Sequence, residues 1–239
     1  MRVPPAASQG AEVLGGVAAA VERAKKRQLV GGGGGLLFAQ VGQLVLDVGG
    51  ATVRAMSPTA DAMTESDREL GESLQVGWDA VDTALRDDNR CSVVLHLDLR
   101  GTRAILCADL LRHALFGWAA VLADPLNQSC VPVDLVKAGH HGGESGHDDE
   151  MWVRLVGPEP VVFVAPYSSS RLPSPPDIAR LTGLSGQLWE AAPADGEWIG
   201  EDGTAISVRG ETGFVRARRR TGENNWRVDA GMPGRQRHP

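Results

Sequence analysis

The residues of this chain that could do chemistry are an acid and a pair of histidines at the ends of two apolar runs. Asp109 closes the run AILCAD, and His140 and His141 close the run VDLVKAGHH. Carboxylate and imidazole groups can hold a metal ion or move a proton. Because the ends of neighbouring strands meet at one rim of a sheet, where α/β folds build their sites, we expect these side chains to converge.

Each of these residues also has a purely structural interpretation. Asp109 precedes an apolar stretch of helical composition, so its side chain could cap a helix. The His-His-Gly sequence could be an ordinary turn. His96 lies inside a strand-like run, where side chains alternate between two faces, and we expect it to pack or to face solvent. His113, one helical turn after Asp109, is a minor candidate for the site.

Strands and helices alternate around these residues. The runs SVVLHLDL and RAILCAD are expected to pair across a short hairpin at RGT. A helix is predicted over residues 110–122, and a strand over residues 133–138 precedes the His pair. The continuous apolar run VVFVA at residues 161–165 is typical of a strand that is buried on both faces. This alternation predicts an α/β fold.

The motifs in this part of the chain resemble those of the metallo-β-lactamase fold, and within it the branch that contains the C-terminal domain of the DNA-uptake protein ComEC. That branch has an Asn-x-x-Ser strand, a hairpin, an acid after a strand, a helix, and a strand that ends in Lys-x-x-His-His-Gly-Ser. The matching residues are Asn89, Ser92, Asp109, Lys137, His140, His141 and Gly142. VRAMSP at residues 53–58 fits a family strand that ends in Leu-Ser-Pro. The resemblance covers roughly residues 40–208.

The chain departs from the family pattern at several positions. Ala108 stands where the family has the Gly before its Asp, Gly143 replaces a Ser, and Leu172 stands where the family often has a His. The main metal motif of the family, His-x-His-x-Asp-His, does not occur in the chain. The resemblance therefore implies a partial αββα sandwich, equivalent to the second half of a metallo-β-lactamase-like fold.

In that family two metal ions, often zinc, lie between the halves of the sandwich. The resemblance implies that Asp109 is the carboxylate that bridges the ions and that His140 is a metal ligand. His141 is the second choice, as a ligand or as a donor to the substrate. The implied cofactor is zinc or another divalent metal. The implied reaction is hydrolysis of a phosphodiester, as in a nuclease, with nucleic acid as a candidate substrate.

Two protein ligands are too few for a catalytic zinc, which takes three. We therefore expect an incomplete hydrolase subunit, inactive alone, whose site is completed by a protein partner or by a missing N-terminal half. Half a sandwich would also expose one apolar sheet face, which demands a partner. The alternative is a non-catalytic pseudoenzyme or scaffolding protein that binds a partner and does no chemistry.

Composition divides the chain into three parts. Residues 1–35 are expected to be a disordered or helical segment that ends in a linker of five consecutive glycines. Residues 36–212 form the predicted domain, with a helical insertion at about 62–88 in which a helix spans residues 64–86. Residues 213–239 are expected to be a basic, disordered tail, with a basic edge strand as the alternative for residues 214–220.

The totals exclude some classes of function. A net charge of −6 argues against a protein that mainly coats nucleic acid. Three cysteines without paired spacing indicate a reducing compartment, and we expect a cytoplasmic protein. No apolar run reaches the roughly 18 residues that a membrane-spanning helix needs, so no membrane partner is expected.

Overall fold

The computed structural model describes residues 39–77, 89–167, 170–192, 197–199, 205–207, 213–220, 223, 225–231 and 235–237. The segment predicted for residues 1–35 lies outside these ranges. The chain divides into two compact units, one of residues 1–39 and 64–88 and the other of residues 40–63 and 89–239. Asp109 and the His pair belong to the second unit.

The described residues form twelve strands, numbered in chain order. They are β1 Leu44–Val48, β2 Ala51–Ala55, β3 Leu95–Leu99, β4 Thr102–Leu106, β5 Val133–Lys137, β6 Val156–Val164, β7 Gln187–Glu190, β8 Glu197–Ile199, β9 Ala205–Ser207, β10 Phe214–Arg218, β11 Arg227–Gly231 and β12 Arg235–Arg237. Eight of them form one sheet in the order β1-β2-β3-β4-β5-β6-β7-β12, while β8 pairs with β9 and β10 pairs with β11.

The eight-stranded sheet is mixed, and its parallel part carries the site. β1 to β4 run antiparallel to one another. β4, β5, β6 and β7 are mutually parallel, and β12 runs antiparallel to β7. The predicted hairpin at RGT is confirmed, because β3 and β4 pair with Leu99 opposite Thr102. The α/β class is also confirmed.

The helices differ in extent from the prediction. They are α1 Ala60–Val76, α2 Trp118–Ala123, α3 Asp149–Leu155 and α4 Pro175–Leu184. The helix predicted over residues 64–86 begins earlier, at Ala60, and residues 78–86 of that prediction lie outside the described part of the chain.

The helix predicted over residues 110–122 is wrong for its first two turns. Only α2 is helical there, and the chain before it folds into turns. Trp118 N–H donates to the Leu111 carbonyl (3.1 Å), which closes a loop instead of a helical turn. The His113 ring takes part, because its Nδ1 accepts from the Leu115 and Phe116 amides at 3.2 Å each. The side-chain nitrogen replaces the backbone carbonyls that would accept from these two amides in a helix.

The core lies between the sheet and α2, α3 and α4. One row of side chains across four neighbouring strands consists of Ile105, Val136, Val162 and Leu188. At most 1% of each of these four residues is exposed. Trp118, Met151 and Leu181, one from each helix, belong to the same hydrophobic cluster. Complete burial of such side chains stabilises the fold by about 1.5–3 kcal/mol each.

The opposite face of the sheet is covered at its centre, contrary to the expectation of an exposed apolar face. Ala104, Leu135 and Val161 form the alternate row and are 7%, 6% and 5% exposed. The chain itself therefore shields the middle strands on both faces. Exposed apolar residues lie instead on β1 at one end of the sheet, where Val45 and Val48 are 47% and 63% exposed.

The tail expected to be disordered at residues 213–239 contains three strands. β10 and β11 form a two-stranded ribbon, and β12 joins the main sheet beside β7. Along β10, exposed Phe214, Arg216 and Arg218 alternate with half-buried Val215 and Ala217, which is the period of a strand. The structure therefore agrees with the edge-strand alternative for residues 214–220. Across the described ranges, no helix has the length and apolarity required to cross a lipid bilayer.

Candidate functional site

Two parallel strands bring the acid and the histidines together. β4 and β5 are neighbours, and Leu106 near the end of one lies opposite Lys137 at the end of the other. The segments that follow remain in register, because Cys107 N–H donates to the Lys137 carbonyl (3.2 Å) and His140 N–H donates to the Ala108 carbonyl (3.0 Å). The predicted meeting of an acid and an imidazole at one rim of the sheet follows from this pairing.

Asp109 and His141 face each other directly. His141 Nε2 lies 3.5 Å from Asp109 Oδ2. The other ring nitrogen, Nδ1, is 2.7 Å from the Ala165 carbonyl, which can only accept a hydrogen bond, so Nδ1 carries a proton. The Tyr167 ring stacks on the imidazole, with 4.9 Å between the ring centroids. The orientation of His141 is thus fixed by one hydrogen bond and one stacking contact.

The separation of these two atoms is compatible with either a proton or a metal ion between them. In the neutral imidazole, Nε2 presents a lone pair, so a lone pair and a carboxylate oxygen face each other unless a proton or a metal ion lies between them. Two such atoms bound to one tetrahedral zinc ion are about 3.4 Å apart, from zinc–ligand distances of about 2.0–2.2 Å. The observed 3.5 Å agrees with that separation. Histidine ligands also commonly donate their other nitrogen to a carbonyl, as His141 does.

His140, the first choice as metal ligand, does not face the acid in the structure. Its Nδ1 is hydrogen-bonded to Ser145 Oγ at 2.7 Å, and its ring centroid lies 6.3 Å from that of His141. His140, His141 and Gly142 all have positive φ, at 44°, 55° and 80°. This left-handed turn directs the two imidazoles differently, and no sequence pattern indicates which of them reaches Asp109.

Lys137 is a further member of the cluster. Its ammonium donates to the Ala108 carbonyl (3.0 Å) and lies 3.9 Å from Asp109 Oδ1. It thereby holds the backbone just before the acid and places a positive charge beside the carboxylate. The interpretation of Asp109 as a helix cap is wrong, because the residues after it form turns and α2 begins only at Trp118.

The turn that carries His141 is supported by α4. Arg180 donates from Nη2 to the Gly142 carbonyl and from Nη1 to Asp177 Oδ1, at 2.8 Å each. Asp177 forms a capping box with Ser174 at the start of the helix. Burial opposes ionisation of Asp177, but hydrogen bonds from Ser174 and Arg180 outweigh it and lower the pKa of the carboxyl group. A charged, ordered helix terminus therefore positions the loop.

Gly143 lies against Leu172, although the two residues are far apart in the sequence. A Cβ atom added at Gly143 would meet the two methyl carbons of Leu172 at 3.1 and 3.2 Å. Leu172 thus occupies the space beside the loop that a larger residue at position 143 would need.

The other titratable side chains near the site have separate partners. His96 is 6% exposed and its Nε2 contacts the Val131 carbonyl at 3.0 Å, which agrees with the packing interpretation. His147 Nε2 lies 2.9 Å from Asp149 Oδ1. Burial raises the pKa of the Cys107 thiol to about 12, so it is not a thiolate at neutral pH. Within the described ranges, no group of three or more His, Cys, Asp or Glu side chains could hold a metal ion.

A small cavity lies beneath the His-His-Gly turn. It is lined in part by Gly142, Gly143, His147 and Arg180, and its volume is about 10 Å³. That volume is close to the space of a single water molecule, so the cavity cannot admit a substrate. A substrate must instead approach the partly exposed rim, where Asp109 is 38% exposed and His141 is 24% exposed.

Comparison with known proteins gives no relative for this arrangement. No family model matches the chain, and neither the curated proteins nor the solved structures contain a significant match. The chemistry of the site must therefore be inferred from its own geometry.

Proposed function

We propose that this chain is a subunit of a metal-dependent hydrolase that cleaves phosphodiesters, with a fold equivalent to the second half of a metallo-β-lactamase-like sandwich. Asp109 and His141 supply part of a divalent metal site, with zinc as the first candidate, and a partner polypeptide or an N-terminal half supplies the rest. The observation that carries the proposal is the 3.5 Å approach of His141 Nε2 to Asp109 Oδ2, with the imidazole held by the Ala165 carbonyl.

The side chains of the cluster have distinct roles in this proposal. Asp109 offers two oxygens and a full negative charge, and His141 offers one nitrogen whose direction is fixed before any ion binds. A divalent cation bound there would supply Lewis acidity to a water molecule and to a phosphoryl oxygen. Lys137 holds the Ala108 carbonyl and offsets the charge of Asp109, so the carboxylate keeps its position with or without a cation.

The need for a partner follows from the number of ligands. Asp109 and His141 are one ligand short of the three that a catalytic zinc takes. β1 offers a surface for such a partner, because its residues Leu44, Val45, Leu46 and Val48 are 42–63% exposed. An apolar strand at the end of a sheet is a template for pairing with another chain.

A non-catalytic, partner-binding protein is the second candidate function. Lys137 lies 3.9 Å from Asp109, so the acid already has a cationic neighbour without any metal. The cluster of Asp109, His141 and Lys137 could then simply tie β4, β5 and the following loops together. In that case β1 would bind the partner and no reaction would take place at the rim.

Hydrolysis of a chromogenic phosphodiester by the complex isolated from its native cells, in the presence of Mn²⁺, separates the two functions. We expect Asp109→Ala and His141→Ala each to lower the rate by about 100-fold or more, because each removes a metal ligand. Asp67→Ala, which alters an exposed carboxylate on α1 outside the cluster, is the matched control and should keep the rate. Unchanged hydrolysis in the first two variants would favour the partner-binding function.

A further inference from the structure

The ribbon of β10 and β11 presents a basic face with one aromatic ring. In its register, Phe214, Arg216 and Arg218 lie opposite Gly231, Asp229 and Arg227. These side chains alternate with the half-buried ones, so they share one face. Phe214 is 52% exposed, and the side chains of Arg216, Arg218 and Arg227 are 53%, 63% and 64% exposed.

The charge of the ribbon is opposite to that of the whole protein. Residues 213–231 contain five arginines and two carboxylates, whereas the chain carries a net charge of −6. Arg218 and Arg227 are directly opposite each other, and like charges in that position destabilise a strand pair. An anion that bound both guanidinium groups would remove this repulsion.

Two carboxylates order the three arginines without neutralising them all: Arg227 Nη2 donates to Glu223 Oε1 at 3.0 Å, and Asp229 serves the other two. The Asp229 carboxylate accepts from Nε and Nη2 of Arg216 at 3.2 and 2.6 Å, and from Nη2 of Arg218 at 3.3 Å. Each guanidinium has five N–H donors, so donors on both side chains stay available to a ligand. Side chains two residues apart on a strand are about 7 Å apart, close to the spacing of neighbouring phosphates along an extended nucleic acid strand.

The aromatic ring distinguishes between classes of polyanion. The Arg216 guanidinium lies 5.9 Å from the centroid of the Phe214 ring. An exposed ring beside arginines is the platform on which unpaired bases stack, and such stacking tolerates any base sequence. An anionic lipid surface would instead need several apolar side chains, and Phe214 is the one large apolar side chain on this face.

The ribbon is fastened to the sheet that carries the candidate site. Arg219 forms a salt bridge with Asp134 on β5, the strand that ends at Lys137. Its Nε also donates to the Glu223 carbonyl at 2.7 Å, and its guanidinium lies 5.9 Å from the Trp226 ring. The basic face thus has a fixed attachment to the strand that leads into the cluster.

We propose that this face of the ribbon binds single-stranded nucleic acid, with the arginines on the phosphates and Phe214 on a base. The binding of nucleic acid does not depend on the proposed phosphodiesterase function. The further inference that this surface holds the substrate does rest on that function. The surface would then keep a flexible strand attached while the rim acts on it.

Fluorescence anisotropy with a labelled oligothymidylate of about 20 nucleotides, in EDTA, tests this proposal. We expect saturable binding that weakens by about 20-fold between 50 and 200 mM salt, as three phosphate contacts would give. The double variant Arg218→Gln, Arg227→Gln should lose at least about 10-fold in affinity with a smaller salt dependence, and Phe214→Ala should lose affinity at unchanged salt dependence. Arg68→Gln, an exposed arginine on α1, is the matched control and should bind normally.

Several outcomes would overturn the proposal. These are the absence of binding, an equal loss in Arg68→Gln, or stronger binding to duplex DNA or to vesicles of anionic phospholipid. Thermal unfolding of the double variant should change little, because removal of the like-charge pair is offset by loss of the exposed ion pairs of Arg218 with Asp229 and of Arg227 with Glu223. Because EDTA is present throughout, this experiment measures binding in the absence of metal. Loss of binding would therefore not argue against the metal site, and evidence against the metal site would not argue against nucleic acid binding by the ribbon.

Discussion

At the residue next to the acid, the backbone adopts a conformation that its side chain disfavours. Ala108 has a φ of 46°, in the left-handed region, and its carbonyl accepts from both Lys137 Nζ and His140 N–H. These two hydrogen bonds hold the turn that presents Asp109. Residues with such strained backbone conformations are found mainly at functional sites, where the surrounding structure holds them in place.

Replacing Ala108 with glycine should therefore stabilise the protein. The left-handed conformation costs an alanine about 1–2 kcal/mol, and glycine avoids this strain. Part of the resulting stabilisation is lost because glycine has greater conformational freedom in the unfolded chain. We expect Ala108→Gly to raise the free energy of unfolding in urea by about 0.5–1 kcal/mol. Ala104→Gly, in the middle of β4, is the control and should lower it. Equal destabilisation by both substitutions would contradict the left-handed conformation assigned to Ala108.

The contact between Gly143 and Leu172 gives a second prediction at this scale. Gly143→Ala places a methyl group against Leu172 and should cost about 1 kcal/mol of stability, since the leucine must move. In a Leu172→Ala background the same change should cost less than half as much. A double-mutant cycle measures this coupling, and strictly additive effects would contradict the contact.

Among the elements, α4 links the fold to the site through its first turn. Ser174 and Asp177 cap the helix, and Arg180 connects Asp177 to the Gly142 carbonyl. Because the pKa of Asp177 is lower in the folded protein than its ordinary value of 3.8, the charged carboxylate stabilises the folded state. That contribution is complete above the unfolded pKa and is lost as pH falls through the folded pKa.

The pH dependence of stability should show this effect. Asp177→Asn should lower the free energy of unfolding at pH 7 by about 1–2 kcal/mol, because it removes a cap and one partner of Arg180. The difference from the wild type should shrink between about pH 5 and pH 2, where the wild-type carboxylate takes up a proton. A difference that stays constant over that range would contradict the assigned role of the charge.

The elements also show what the sequence could and could not predict. The strands that end at the acid and at the His pair were predicted because apolar runs of strand length are a strong local signal. The loop at residues 110–117 was not predicted, because His113 and Leu111 satisfy backbone groups through contacts that periodicity does not record. The left-handed turn at His140 and His141 likewise has no propensity signal, so the sequence does not indicate which imidazole faces Asp109.

For the whole molecule, the sequence indicated the α/β class but not the extent of the sheet. Runs such as VVFVA predict buried strands, whereas the ribbon and β12 lie in a segment whose arginines suggested a solvated tail. The covered centre of the sheet was also missed, because shielding of Leu135 and Val161 depends on distant parts of the chain. The resemblance named the candidate site residues, and only the geometry separated His141 from His140.

The claim that Asp109 and His141 form part of a metal site is tested most directly by nitrogen NMR of the histidine side chains of this chain, labelled and assembled in its complex, during titration with Zn²⁺. We expect a selective change at His141 Nε2, with Nδ1 still protonated by its bond to Ala165, and loss of this response in Asp109→Asn. His140, bonded to Ser145, should respond weakly or not at all. A response centred on another histidine, or one that persists in Asp109→Asn, would contradict the account.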